Sequence, residues 1–283
     1  MIAESFSYHR PQRLDEAIRL LQEHGDSAKV LAGGHSLIPA MKLRLARPSV
    51  LVDLAAIDQL SGIHEADGSL RIGAMTTHGA IAQSRLLAEQ CPLLPQAAMH
   101  IGDRQVRNWG TVGGSLVHAD PTADWPAVML ALDATLEVVG PSGSRDLRAD
   151  EFFVDMLQTA IAPEEILIAI RVRPTPASVA YVKTEQKASG FALCGVAVVL
   201  DSAARTARVG ITGVAPVPYR ASRTEALLAG QTLTAEAVAK AAEAAADGID
   251  ALGDIHASAE YRRHLAEVNT RRALARAIAP ADT

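Results

Sequence analysis

The sequence predicts a two-domain chain that mixes helices with strands, and three observations carry that prediction. Its 283 residues fit two domains at about 150 residues each. Strand-like and helix-like segments alternate along the first part, up to the break at Arg173-Pro174-Thr175-Pro176. Beyond that break, three strand-like runs at hairpin spacing lead into two alanine-rich helical stretches.

The elements follow in chain order. Leu14, Ala17, Ile18 and Leu21 share one face of a helix over Leu14 to His24, which Gly25 stops. A strand over Lys29 to Ala32 runs into Gly33-Gly34, and further strands are expected at Val50 to Leu54 and Leu70 to Ala74. Helices are expected at Thr77 to Gln90, Leu93 to His100 and Pro126 to Leu132. Thr135 to Val139 reads as a strand ended by the turn Gly140-Pro141-Ser142-Gly143, and Ile166 to Val172 is rich in β-formers. The later runs are Val179 to Lys183, Ala192 to Leu200 and Ala207 to Val214, then helices at Ala235 to Ala246 and Ser258 to Ile278. Ser258 is a good N-cap, with Glu260 in the first turn, where the helix dipole favours an anion. No internal repeat is visible, and disorder is expected only in the last few residues.

Composition removes several function classes. With 27 basic against 32 acidic residues the net charge is −5, the wrong sign for a nucleic-acid footprint. Two Trp, four Tyr and four Phe are too few for a base-stacking platform. The two cysteines, Cys91 and Cys194, cannot ligate an iron–sulfur cluster, form a structural zinc site alone or frame a disulfide scaffold. The start of the sequence carries no apolar run of a signal peptide. The longest apolar stretch, near Phe191 to Leu200, is about half the ~20 residues of a membrane span. A cytoplasmic location is expected.

Most motifs of catalysis are missing. There is no G-x-G pair of a dinucleotide fingerprint, no P-loop, no C-x-x-C, no H-E-x-x-H and no G-x-S-x-G. His118-Ala119-Asp120 is a close His/carboxylate pair, and two ligands do not make a metal site. Two glycine-pair loops do stand out. One is Ala32-Gly33-Gly34-His35-Ser36-Leu37, directly after a strand; the other is Thr111-Val112-Gly113-Gly114-Ser115. Without a Cβ, the backbone turns tightly and brings successive N–H groups up to an anion. The hydroxyls of Ser36, Thr111 and Ser115 add donors. Two such loops suit a diphosphate; taken singly, each reads more readily as a tight turn at a strand end. Asp120 or Asp124 offers a carboxylate to sugar or ribityl hydroxyls, and Asp124 also stands where it would cap a helix opening at Pro126.

The pattern Ala32-Gly33-Gly34-His35-Ser36-Leu37-Ile38-Pro39, followed by Met41-Lys42-Leu43-Arg44, resembles the FAD-binding medium subunit of molybdenum hydroxylases. That group includes the medium subunit of aerobic carbon monoxide dehydrogenase and the flavin domain of xanthine dehydrogenase. Asn108-x-Gly110-Thr111-Val112-Gly113-Gly114-Ser115 is similar to the second flavin loop, with Val112 where isoleucine is commoner. The run from Asp254 to Arg263 resembles the C-terminal signature.

The resemblance implies an α+β fold. Residues 1–174 would form a vanillyl-alcohol-oxidase-type (PCMH-like) FAD-binding domain of two α/β subdomains. Residues 175–283 would form a C-terminal domain with a three-stranded antiparallel sheet and helices. It implies that backbone groups of Ala32, Gly33, Gly34, His35 and Ser36, and of Thr111 to Ser115 with Gly113 and Gly114, hold the pyrophosphate of FAD, and that Leu37 is also a cofactor-binding residue. Asp124 would take cofactor hydroxyls, Leu167 and Phe191 would lie near the flavin ring, and Lys183, or alternatively Lys187, would face its pyrimidine side. One departure is Ser189-Gly190-Phe191, where many relatives place an aspartate just before the ring-facing residue.

The function so implied is electron transfer, with no catalytic side chain on this chain. A large subunit would carry the molybdenum cofactor, and a small subunit would pass electrons from [2Fe–2S] clusters to FAD here. An external acceptor such as NAD, a quinone, a cytochrome or oxygen would take them on. The expected assembly is a dimer of heterotrimers. The competing readings are a self-sufficient flavin oxidase acting on an organic substrate and a cofactor-free assembly protein.

Overall fold

The computed structural model describes residues 2–175, 178–201 and 203–279. Pro176 of the expected break and the final residues of the expected disorder lie outside them.

The chain begins with β1 (Ser7–His9), α1 (Leu14–His24), β2 (Ala28–Leu31), α2 (Leu37–Lys42) and β3 (Val50–Asp53). These make a small parallel sheet in the order β1-β3-β2. Helix α1 covers it with Ala17, Ile18, Leu20 and Leu21, the apolar face read from its spacing, and ends at Gly25 with φ +49°.

Next come β4 (Ile63–Ala66), β5 (Ser69–Gly73) and five short helices: α3 (His78–Ala82), α4 (Arg85–Gln90), α5 (Leu93–Met99), α6 (Arg104–Trp109) and α7 (Val112–His118). Helix α8 (Trp125–Ala131), β6 (Thr135–Gly140), β7 (Gly143–Arg148), α9 (Ala149–Phe152), β8 (Phe153–Asp155), β9 (Gln158–Thr159) and β10 (Ile166–Val172) complete this part. Here the sheet is antiparallel, in the order β4-β5-β10-β6-β7, and β8 pairs with β9. One helix was expected from Thr77 to Gln90, whereas two form. The Ser84 hydroxyl accepts from Leu87 N and starts a second helix where the first ends.

The last part contains β11 (Val179–Glu185), β12 (Ala192–Asp201), β13 (Thr206–Thr212), β14 (Tyr219–Arg220), α10 (Ser222–Leu228), α11 (Ala235–Glu243) and α12 (Ala259–Ile278). Its antiparallel sheet has four strands, not the expected three, because the two-residue β14 pairs with β13 through Gly210 and Ile211. Such a short edge strand has no periodicity to read.

Helix α8 and strand β12 tie the parts together. Ala197 and Val199 of β12 share a core with Trp125 and Val128 of α8. The alternate residues Cys194, Val196, Val198 and Leu200 face Leu265, Ala266 and Ala273 of α12. Both faces of β12 are therefore covered, which explains why it is the longest apolar run of the sequence. Close contact needs Gly210: a Cβ there would lie 2.0 Å from the Ala127 carbonyl oxygen. The run Asp254 to Arg263 is a clamp on this sheet. Buried Arg262 donates to the carbonyls of Leu193 (2.9 Å) and Gly213 (2.5 Å) and to Asp254 (2.6 Å). Asp254 in turn accepts from the backbone of His256 and Ala257, and Ser258 caps α12 through Tyr261 N, as its position predicts.

Candidate functional site

The two glycine loops meet in space. A Cβ on Gly33 would lie 2.2 Å from Trp109 O and 2.7 Å from Gly110 Cα; one on Gly114 would lie 3.2 Å from Ala32 Cβ. Glycine at these positions lets the backbones touch. Separated in sequence, the loops form one surface beyond the ends of β2 and β5.

Their hydrogen bonding differs. In the first loop, Gly34 turns the chain at φ +74°, and Gly34 O and Ser36 O accept from Ile38 N and Ala40 N of α2. Among the described residues, the N–H groups of Gly33, Gly34, His35 and Ser36 have no acceptor. His35 and Ser36 are exposed, Ala32, Gly33, Gly34 and Leu37 partly so, and the Ser36 hydroxyl caps nothing. Four consecutive free donors with one hydroxyl suit the oxygens of a diphosphate.

The second loop is built differently. Residues Val112–His118 are helix α7, and four of the five N–H groups expected to meet a ligand are taken by protein. Val112 N donates to Thr76 O (3.0 Å), Gly113 N to Ala74 O (2.9 Å), Gly114 N to Thr111 Oγ1 (3.1 Å) and Ser115 N to Thr111 O (3.1 Å). Gly113 is glycine because a Cβ would lie 2.5 Å from Ala74 Cβ and 2.7 Å from Ala74 O. Thr111 is the N-cap of α7 and pairs across an isolated bridge with Thr77. What this loop still offers a ligand is the Thr111 N–H, the Ser115 hydroxyl and its position against the first loop.

Asp124 does not make the helix cap that its position suggests. It stands at the N-cap of α8 but makes no capping bond; it is 5% exposed, and its carboxylate is engaged by protein partners. Its Oδ1 accepts from Tyr181 Oη (2.6 Å), and Lys183 Nζ lies 2.9 Å from Oδ1 and 3.0 Å from Oδ2. Lys183 also donates to His100 O (2.8 Å), and its side chain is 1% exposed. Burial pushes the Asp124 carboxyl up, against the pull of Lys183; burial, then the Asp124 charge, drives the Tyr181 phenol well up. This cluster joins α5, the start of α8 and β11, and so bolts the first part of the chain to the last. Asp120, the other carboxylate considered, accepts from Thr122 N and Oγ1 and closes a turn.

The remaining expected residues are spread out. Leu167 is buried in the core at the bulge where β10 meets β6. Phe191 is 50% exposed at the end of the 186–191 loop, which Gln186 ties by accepting from Ala188 N and Ser189 N. Lys187 is exposed on that loop. Gly190, in the place of the usual aspartate, has φ +72°, a conformation glycine adopts without strain. Both cysteines are buried, and burial raises each thiol to about 12, so neither supplies a thiolate. Among the described residues there is no group of three metal-ligating side chains, and no helix is long and apolar enough to cross a membrane.

Two residues at the site escaped the sequence reading. Trp109, 70% exposed, lays its backbone carbonyl against Gly33. His78, at the start of α3, lies with its ring against Gly110. No motif spacing points to either.

Comparison with known proteins agrees with this architecture along the whole chain. A family described as "FAD binding domain in molybdopterin dehydrogenase" matches residues 4–176, and one described as "CO dehydrogenase flavoprotein C-terminal domain" matches residues 179–277. The carbon monoxide dehydrogenase medium chain of Afipia carboxidovorans is 43% identical over 99% of both chains. The nicotine 6-hydroxylase medium subunit of Paenarthrobacter nicotinovorans is 37% identical over 95% of this chain and 96% of that one. A chain of the carbon monoxide dehydrogenase of Hydrogenophaga pseudoflava superposes with a TM-score of 0.94 at 40% identity, covering 98% of each. With the joined glycine loops and the two matched regions in hand, the chain belongs to the family of FAD-binding medium subunits of molybdenum-dependent dehydrogenases.

Proposed function

We propose that this chain is the FAD-carrying electron-transfer subunit of a heterotrimeric molybdenum hydroxylase, with a large molybdenum-cofactor subunit and a small [2Fe–2S] subunit as partners. The observation that carries the reading is the row of free N–H donors from Gly33 to Ser36, in a chain whose residues 4–176 match an FAD-binding family. FAD, when bound, supplies the redox chemistry, taking electrons from the partner's clusters and giving them to an external acceptor. The protein supplies position and electrostatics. Loop one binds the diphosphate through backbone donors and the Ser36 hydroxyl; Ser115 adds a hydroxyl from loop two. Phe191 lies against the ring, and Leu167 backs the site from the core. Of the two lysines, the exposed Lys187 is the one for the pyrimidine side, since Lys183 is held by Asp124 and His100.

The division at residue 174, the vanillyl-alcohol-oxidase-type arrangement of the first domain and a dimer of heterotrimers belong to the same proposal. The parallel and antiparallel sheets of the first part, each with its own helices, support two subdomains. The substrate pocket would belong to the molybdenum subunit, so relatives on carbon monoxide and on nicotine are equally compatible with this chain.

The test is purification of the full chain. A yellow protein that releases FAD on denaturation is expected. Colourless protein that takes up no added FAD would refute the reading.

A further inference from the structure

We propose that His78 is a cofactor-binding residue, its neutral imidazole donating the Nε2–H to a diphosphate oxygen of FAD while Trp125 holds the ring from behind. The inference deepens the function proposed above and rests on it.

The ring's orientation and tautomer follow from one contact. Fully buried Trp125 donates its indole N–H to His78 Nδ1 at 3.0 Å. An indole nitrogen only donates, so Nδ1 must be the unprotonated nitrogen and Nε2 carries the hydrogen. His78 is 4% exposed, and burial, then His35 and Arg107, lowers its pKa to about 4, which keeps the imidazole neutral near pH 7. Among the described residues Nε2–H has no protein acceptor, and it is not among the sealed polar atoms, so it is free to donate outward to a ligand.

The direction of Nε2 points to the ligand. A Cβ on Gly110 would lie 2.8 Å from it, so glycine is what lets the imidazole reach this backbone. Gly110 Cα is itself the atom 2.7 Å from a Cβ on Gly33, at the start of the free-donor row. Nε2–H thus lies against loop two at Gly110, the residue that itself touches Gly33 of loop one. A neutral donor fixed there adds to the N–H groups of Gly33 to Ser36 without burying a second charge.

Two substitutions separate this role from a purely structural one. Asparagine can place its Oδ1 where Nδ1 stands, and glutamine can reach the Nε2 position with its amide. In the full chain stripped of FAD and titrated with FAD, His78→Asn is expected to bind about tenfold more weakly with its melting temperature held. His78→Gln is expected to bind within about twofold of the unmodified chain but to melt lower, because Trp125 loses its acceptor. An affinity for His78→Asn equal to that of the unmodified chain overturns the inference. So does His78→Gln binding as weakly as His78→Asn. If the unmodified chain binds no FAD, the parent reading fails as well, an outcome distinct from normal binding with an indifferent His78→Asn.

Discussion

The two glycine loops look alike in sequence and do different work in the structure. In the first, Gly33 and Gly34 shape a turn whose N–H groups stay free. In the second, Gly113 and Gly114 let helix α7 press against Ala74 and Ala32, and their N–H groups are bonded to protein. A glycine pair thus marks close approach of a backbone to something, and that something can be a ligand or the protein itself. In the proposed function loop one faces the ligand, and loop two is the wall that fixes its position.

Three substitutions can break or sharpen this contrast. The largest effect is expected from Gly113→Val, whose side chain would overlap Ala74 and cost about 3 kcal/mol. Chemical denaturation of the variant without FAD should show the loss, and unchanged stability would return loop two to the role of a ligand cradle. Next is Thr111→Ala, which removes the α7 cap from Gly114 N and should cost about 1 kcal/mol of folding stability. Smallest in stability is Ser36→Ala, where no cap is lost and a change under about 0.5 kcal/mol is expected. Yet Ser36→Ala should weaken FAD binding by about 1 kcal/mol, measured as a dissociation constant by flavin titration. Equal stability losses in Thr111→Ala and Ser36→Ala would erase the distinction between the loops.

The elements with strong local signals were legible. The apolar stripe of α1, the β-rich run of β10 and the Ser258 cap of α12 all depend on residues close in sequence. The helix at Leu37–Lys42 and the edge strand β14 were not read. A helix with Pro39 inside it has weak propensity, and a two-residue strand owes its existence to a partner. At the site, the glycine pairs were visible, but the protein partners of Asp124 were not. Its surroundings suggested a helix cap or a hydroxyl acceptor. Its actual partners, Tyr181 and Lys183, lie on the far side of the break between the two matched regions.

The sequence by itself determined the strand and helix runs, the two glycine loops and, through motif order, the family. Local sterics and periodicity are properties of neighbouring residues, and a string of residues carries them in full. Only the tertiary structure decided which N–H groups are free, which carboxylate is sealed in an ion pair and which histidine nitrogen faces the loops. Each of these depends on an acceptor or donor supplied from elsewhere: Ala74 and Thr76 for α7, Lys183 for Asp124, Trp125 for His78. A hydrogen bond is satisfied by proximity in space, and proximity in space is what folding adds to the sequence.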